Sequence, residues 1–378
     1  MKKRIDEIDM IKGILILFVV ISHVAGFAGI RGLYPIASNI ISTLVLIAMV
    51  TFYILSGYTY NQGSKTLMET IGKRIKSIVL PYYAYAIPML VFLFVFFILF
   101  EHRTMNWFLD GVLAVLLQLQ STYIFSDGVL VHEMMYSVFA CWFIFQLLVA
   151  FIVFIPVYRL VENKKLYVKL IAALVLLGLG ALFYSLDIQK LNGEFFPAVC
   201  KMLVLPNIFG IAGLLMIGKC ASLIELLDMK RYSGGKRLIS VIASVIVIVV
   251  AYATDDYIYD FPIGKWGAFG EISYFTTPVY GIALMVLLGC LVYEFKKNET
   301  VKKSLVFFGK NSLDFLILHF FIVWFISYVC GIWAPANSDK VIPSFEPPVI
   351  WAYFIFILFI TLTVCSVTVI IRNHRKNK

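Results

Sequence analysis

The residues best placed for chemistry lie near the start of the chain. The stretch Arg4-Ile5-Asp6-Glu7-Ile8-Asp9-Met10-Ile11-Lys12-Gly13 leads into the apolar run Ile14–Ile21, which closes on Ser22-His23. Lys12 and His23 are eleven residues apart. On an α-helix that is about 1,100° of rotation, within about 20° of three full turns, so both point the same way, with His23 about 16 Å deeper. Asp9 falls within about 40° of the same stripe. A neutral imidazole can take a hydroxyl proton near neutral pH, which makes His23 a candidate general base. The plainer alternative is that Lys12 anchors the helix among headgroups and His23 hydrogen-bonds a neighbouring helix. Ionisable groups inside apolar runs are costly, and two on one stripe favour a functional reading.

The elements that hold these residues must be helices in lipid. Of 378 residues, 61% are hydrophobic and 14% charged. Soluble domains carry about 25% charge and about 45–50% apolar residues. Apolar runs fall near 11–30, 36–60, 78–100, 107–125, 134–158, 166–186, 198–218, 238–254, 273–293, 312–333 and 349–371. They are continuous rather than alternating, which excludes a β-barrel. The positive-inside rule selects among them. If 107–125 does not cross, 26 of the 32 basic residues collect on the cytoplasmic side. Only Arg31, Arg103, Lys190, Lys265 and Lys340 then lie outside, with Lys201 near a helix start. The expectation is an all-α integral membrane protein of about ten transmembrane helices, with N- and C-termini cytoplasmic. The segment 107–125, carrying Gln118 and Gln120, is re-entrant or interfacial, as suits the lining of a wet cavity. Residues 1–378 form a single transmembrane domain, with no N-terminal cleavage pattern and no room for an appended soluble domain.

Several other side chains are candidates. Lys73, Arg74 and Lys76 follow the second run on the cytoplasmic side. Ser56-Gly57 ends that run, where small residues suit either close helix packing or the passage of a ligand. Ser56 has no adjoining base to make it a nucleophile. His319, in Leu316-Ile317-Leu318-His319-Phe320-Phe321, shares a face with Ser312, and could orient His23, contact substrate or make a structural hydrogen bond. Asn311 and Ser312 suit a helix start, with capping their default role. Glu133, beside His132, opens a span from outside and could meet a substrate or anchor at the interface. The cysteines Cys141, Cys200, Cys220, Cys290, Cys330 and Cys365 sit singly, and no grouping has metal-ligand spacing. The net charge of +10 lies in the loops with no basic face, so nucleic acid is not an expected partner.

These features resemble the membrane acyltransferase-3 family. Its first helix carries a basic residue, ten residues, then His, as do Lys12 and His23. Phe52-Tyr53-Ile54-Leu55-Ser56-Gly57-Tyr58 is similar to its Phe-Phe-x-x-Ser-Gly-aromatic motif. Lys73-Arg74-Ile75-Lys76, followed by Pro81-Tyr82, resembles its basic cluster and Pro-Tyr. Trp142-Phe143-Ile144 stands for Trp-Phe-Leu, and Gly309-Lys310-Asn311-Ser312-Leu313 with His319 resembles its closing motif. Lys12, where many members have Arg, resembles the fucose O-acetylase-like branch.

The resemblance implies transfer of an acyl group, acetyl above all, from cytoplasmic acyl-CoA to a hydroxyl of a cell-envelope sugar or polysaccharide, at the inner (cytoplasmic) membrane. Acyl-CoA is then a co-substrate, with no bound cofactor. Its phosphates suit Lys12, Lys73, Arg74 and Lys76, and Ser56 and Gly57 would line its arm. Asp9, His319, Asn311, Ser312 and Glu133 would contact the acceptor or support the site. Two other readings are a glycan or lipid-linked-sugar transporter, which predicts half-repeats not found here, and a different membrane O-acyltransferase class relying on His319 alone.

Overall fold

A computed structural model of the chain describes residues 5–28, 35–61, 66–100, 105, 142–185, 205–253, 270–330 and 347–376. Among them the regular structure is entirely helical. The helices are α1 (Asp6–Phe27), α2 (Pro35–Tyr58), α3 (Leu67–Phe94), α4 (Trp142–Val161), α5 (Leu166–Ser185) and α6 (Leu205–Leu223). They continue with α7 (Gly234–Ala253), α8 (Gly270–Phe295), α9 (Glu299–Lys310), α10 (Ser312–Val329) and α11 (Pro347–Lys376). Eight are long and apolar enough to cross a membrane, and α2 and α6 supply shorter apolar helices, Thr43–Tyr58 and Ile208–Leu223. These are the ten runs that the charge pattern makes spanning. The chain is an all-α, multi-pass membrane protein. The segment 107–125, Glu133 and the chain ends lie outside the described residues.

Local chemistry explains several boundaries. Thr66 precedes α3 and forms a reciprocal cap: its N–H donates to Glu69 Oε2 (2.9 Å), and the Glu69 N–H donates to Thr66 Oγ1 (3.3 Å). Asn298 caps α9, its Oδ1 accepting from the N–H groups of Thr300 (3.0 Å) and Val301 (3.1 Å). Prolines 81 and 88 in α3, 156 in α4 and 278 in α8 each remove a helical donor. Spanning helices tolerate this because neighbours re-satisfy the freed carbonyls.

The chain forms two compact units. The first comprises Met1–Phe18, Asn39–Arg74 and Gln146–Lys310. Within it, α2 and α6 cross at a pair of glycines: a Cβ on Gly57 would collide with the Leu215 carbonyl oxygen, and one on Gly218 with that of Ile54. Backbones approach this closely only where a side chain is missing. Thr51 adds polar contacts to the same region, its Oγ1 donating to Ile47 O (2.7 Å) or Gly281 O (3.2 Å).

The second unit comprises Val19–Ser38, Ile75–Phe145 and Asn311–Lys378. Its core gathers Val20 and Val24 of α1, Val323 of α10 and Ile357 of α11. Helices α10 and α11 run antiparallel, since Val323 packs with Ile357 while Asp314 meets Arg372. Phe92 and Phe96 of the α3 segment lie edge-on to Phe321, Phe325 and Tyr328 of α10.

Candidate active site

His23 and His319 come together in the second unit. His319 Nε2 lies 3.0 Å from His23 Nδ1, and the ring centroids are 5.0 Å apart. The second ring nitrogen of His319, Nδ1, lies 2.8 Å from the carbonyl oxygen of Phe315, one turn earlier on α10. His319 is 1% exposed, whereas His23 is only half-buried. Phe320 closes one flank, its ring meeting that of His23 edge-on at 4.7 Å and that of Phe27 at 5.4 Å. The pair thus has a buried member fixed to backbone and a more accessible member on α1.

Below it lies a polar cluster that sequence reading missed. Asp314, 3% exposed, forms an ion pair with Arg372 of α11 and accepts from the Tyr85 hydroxyl at 3.0 Å. Arg372 Nη1 also donates to Tyr85 Oη (3.4 Å). Asn311, at the N-cap position of α10, makes no side-chain cap; its Oδ1 instead accepts from Asn373 Nδ2 at 3.3 Å. The N-terminal turn of α10, which begins at Ser312, is therefore tied to the end of α11 by side chains. A charge buried this deeply is tolerable only when paired and hydrogen-bonded. The available signal was an Asp inside an apolar run, which carries the same cost argument as His23.

The start of α1 belongs to the first unit. Glu7 pairs with Lys296 (3.0 Å) and Asp6 with Lys302 (3.6 Å). Asp9 is buried and Lys12 half-buried. A Cβ on Gly309 would collide with the Asp9 carbonyl oxygen, and one on Gly13 with that of Leu305. The two glycines of the first and last motifs therefore mark one backbone crossing, between α1 and α9.

The basic cluster on α3 divides by environment. Lys73 and Lys76 are exposed. Arg74, in the first unit, turns inward: its guanidinium lies 4.6 Å from the Phe151 ring centroid and 5.5 Å from that of Tyr60. Cations over aromatic faces gain about 0.5–2 kcal/mol as desolvation increases. The same cluster holds Lys219, whose Nζ donates to Tyr60 O (3.0 Å) and lies 5.6 Å from the Tyr158 ring, and Arg159, which donates to Thr70 Oγ1 (3.3 Å). Tyr60 is 1% exposed, and its hydroxyl has no hydrogen-bond partner among the described residues. Arg159, Lys219 and Tyr60 were not candidates on sequence, because only tertiary packing joins them to Arg74.

Ser56 Oγ donates to the Phe52 carbonyl at 2.7 Å, within its own helix. Gly57 sits at the α2–α6 crossing, and that contact accounts for the glycine by packing alone. Ser312 opens α10, seven residues before His319. Glu133 falls outside the described residues. Among the described residues, no group of three or more His, Cys, Asp or Glu could hold a metal ion.

The family model described as an acyltransferase domain, that of the membrane acyltransferase-3 proteins, matches residues 5–370. No curated protein and no solved structure matches the chain. The match takes in every element from the first turn of α1 almost to the end of α11, and with it both histidines. The chain is a membrane acyltransferase and belongs to the membrane acyltransferase-3 family.

Proposed function

We propose that this acyltransferase moves an acetyl group from cytoplasmic acetyl-CoA to a hydroxyl of a cell-envelope sugar or polysaccharide, at the cytoplasmic membrane, with His23 as general base. The observation that carries this reading is the half-buried His23 imidazole, hydrogen-bonded at 3.0 Å to a second, buried imidazole. An imidazole so held has a defined orientation and can take a proton from a hydroxyl laid against it.

The step balances with donor and acceptor alone. His23 removes the hydroxyl proton as the oxygen attacks the thioester carbonyl. The new C–O bond forms, the C–S bond breaks, and the departing CoA thiolate recovers the proton from His23. Lys12, Lys73, Arg74 and Lys76 would hold the polyanionic end of CoA by charge-assisted contacts, Lys73 and Lys76 being exposed. Ser56 would flank the donor arm, with Gly57 letting α2 and α6 meet closely beside it.

A hydroxyl-rich acceptor also suits the second unit. Ser327 on α10 and Thr361 on α11 are fully buried, with hydroxyls that have no hydrogen-bond partner among the described residues. Thr361 lies one turn beyond Ile357, which packs with Val323, itself one turn beyond His319. Buried hydroxyls without partners cost free energy that a polar ligand would recover. Asp9, Asn311, Ser312 and Glu133 would support the site without taking part in proton transfer.

The test is release of free CoA thiol from acetyl-CoA by membranes of the producing cells, with and without this protein. Protein-dependent release that is lost in His23→Ala supports the reading. A chain that moves a glycan without releasing thiol would instead be a transporter.

A further inference from the structure

We infer that His319 is a positioning residue that locks His23 in the tautomer a base requires, through a chain running from the Phe315 carbonyl to His319 to His23. This inference rests on the general-base reading of His23 and adds the atom at which the base acts.

The assignment follows from which groups can donate. A carbonyl oxygen only accepts, so the 2.8 Å contact between Phe315 O and His319 Nδ1 requires a proton on Nδ1. Phe315 stands four residues before His319, where its carbonyl already accepts the helical N–H; the second lone pair serves the imidazole. A neutral His319 with its proton on Nδ1 has a bare Nε2, which can only accept. The 3.0 Å contact from that Nε2 to His23 Nδ1 then requires His23 Nδ1 to donate. A neutral His23 with its proton on Nδ1 carries its lone pair on Nε2. Each link fixes the next, as the partner of one ring nitrogen decides the state of the other.

The alternative protonation gives the opposite outcome. A cationic His319 would donate from both nitrogens, forcing His23 Nδ1 to accept and placing the His23 proton on Nε2. That form has no lone pair for a hydroxyl. Free imidazole side chains favour the proton on Nε2, so without His319 the non-basic arrangement would predominate. The two rings are held against drift by Phe320, edge-on to His23 at 4.7 Å and to His319 at 6.0 Å. When His23 takes the substrate proton it becomes an imidazolium, and its Nδ1–H still donates to His319 Nε2. No further proton donor or acceptor is needed.

The side chains that can substitute for His319 are specific. The amide oxygen of Gln reaches the place of Nε2 and can accept from His23 Nδ1. The shorter Asn reaches only the place of Nδ1, and Leu offers no acceptor. We therefore compare His319→Gln, His319→Asn and His319→Leu in full-length protein labelled with ¹⁵N-histidine and held in lipid nanodiscs. Comparison with His23→Ala assigns the His23 signals, and the ring-nitrogen shifts report which nitrogen carries the proton. The wild type should show His23 protonated on Nδ1 and bare on Nε2. His319→Gln should keep that pattern, and His319→Asn and His319→Leu should move the proton to Nε2.

In parallel, CoA release from acetyl-CoA by membranes of the producing cells should be about 10²-fold slower for the Asn and Leu variants than for Gln, with the KM for acetyl-CoA unchanged. A wild-type His23 protonated on Nε2 would overturn the inference. So would a His23 tautomer indifferent to residue 319, or Leu and Asn variants as fast as Gln. Full activity in His23→Ala would sink the general-base reading while the tautomer measurement still stood.

Discussion

His319 Nε2 and His23 Nδ1 stand 3.0 Å apart although 296 residues separate them in the chain. The contact joins the first helix to the tenth and makes the imidazole on α1 a fixed group rather than a rotor. The first prediction concerns that group. His23→Ala should lower acetyl-CoA-dependent thiol release by about 10²-fold or more while leaving insertion and thermal stability near wild type. Partial exposure of His23 means that truncation opens no fully enclosed cavity. Activity within about tenfold of wild type in correctly inserted protein would rule out a general base at this position.

The second prediction concerns the Asp314–Arg372 pair. Asp314→Ala removes the acceptor of both Arg372 and Tyr85 and leaves a guanidinium largely buried. Breaking a buried pair from one side typically costs about 3–5 kcal/mol. Asp314→Asn keeps an acceptor for Tyr85 and should cost less. Thermal unfolding in detergent, read by tryptophan fluorescence, should rank wild type above Asn and Asn above Ala. Equal Tm values for all three would mean that the cluster does not hold α10 to α11.

The glycines offer an internal comparison. Gly309→Ala and Gly218→Ala would each drive a methyl group into a carbonyl oxygen of a crossing helix, of Asp9 and Ile54 respectively. Overpacking of this kind typically costs about 1–3 kcal/mol. Gly72 and Gly178 have no other described residue within 4 Å of the place a Cβ would take, apart from their own helix. Alanine there should be neutral or stabilising by up to about 1 kcal/mol, since helical glycine carries an entropy cost. Measured Tm shifts of the same size at all four positions would refute the two crossings.

How much of this was legible beforehand depends on the range of the signal. The ten apolar helices could be read because lipid imposes long continuous runs; the segment 107–125, which charge placement sets apart from them, lies outside the described residues. The alignment of Lys12 with His23 followed from the helical period alone. The pairing of His23 with His319 did not, because no local period links α1 to α10. Arg74 was read as part of a rim with Lys73 and Lys76. Its guanidinium also lies 4.6 Å from the Phe151 ring, a contact with no sequence spacing to announce it. Asp314 and Arg372 are not among the candidates that the sequence singles out. Their meaning appears when α10 and α11 pack antiparallel.

Topology yields a fourth prediction. If 107–125 does not cross, twenty-six basic residues fall on one side, and the positive-inside rule then predicts cytoplasmic termini. In a background with the six native cysteines replaced, single cysteines at Ser126 and Ser338 should react with an impermeant reagent added outside intact cells. One at Ser233, between α6 and α7, should react only after permeabilisation. Protection at Ser126 would return 107–125 to spanning status and reverse every later loop.

The last prediction concerns the donor. Lys12 lies on α1 three helical turns before His23 and is half-buried where Gly13 abuts α9. If its ammonium contacts a CoA phosphate, Lys12→Ala loses one charge-assisted interaction, worth about 1.5–3 kcal/mol, or about 10–150-fold in affinity. The loss should fall on the KM for acetyl-CoA rather than on kcat, because the phosphates are remote from the thioester and are held equally before and during transfer. Lys12→Arg keeps the charge and should recover most of the affinity, although the two side chains differ in donor geometry. Headgroup anchoring makes a different forecast: Lys12→Ala would reduce insertion or yield, and the inserted fraction would show a normal KM. Purified, correctly inserted protein assayed over a range of acetyl-CoA concentrations separates the two. A normal KM with a normal kcat would remove Lys12 from the donor site and assign it to the helix boundary.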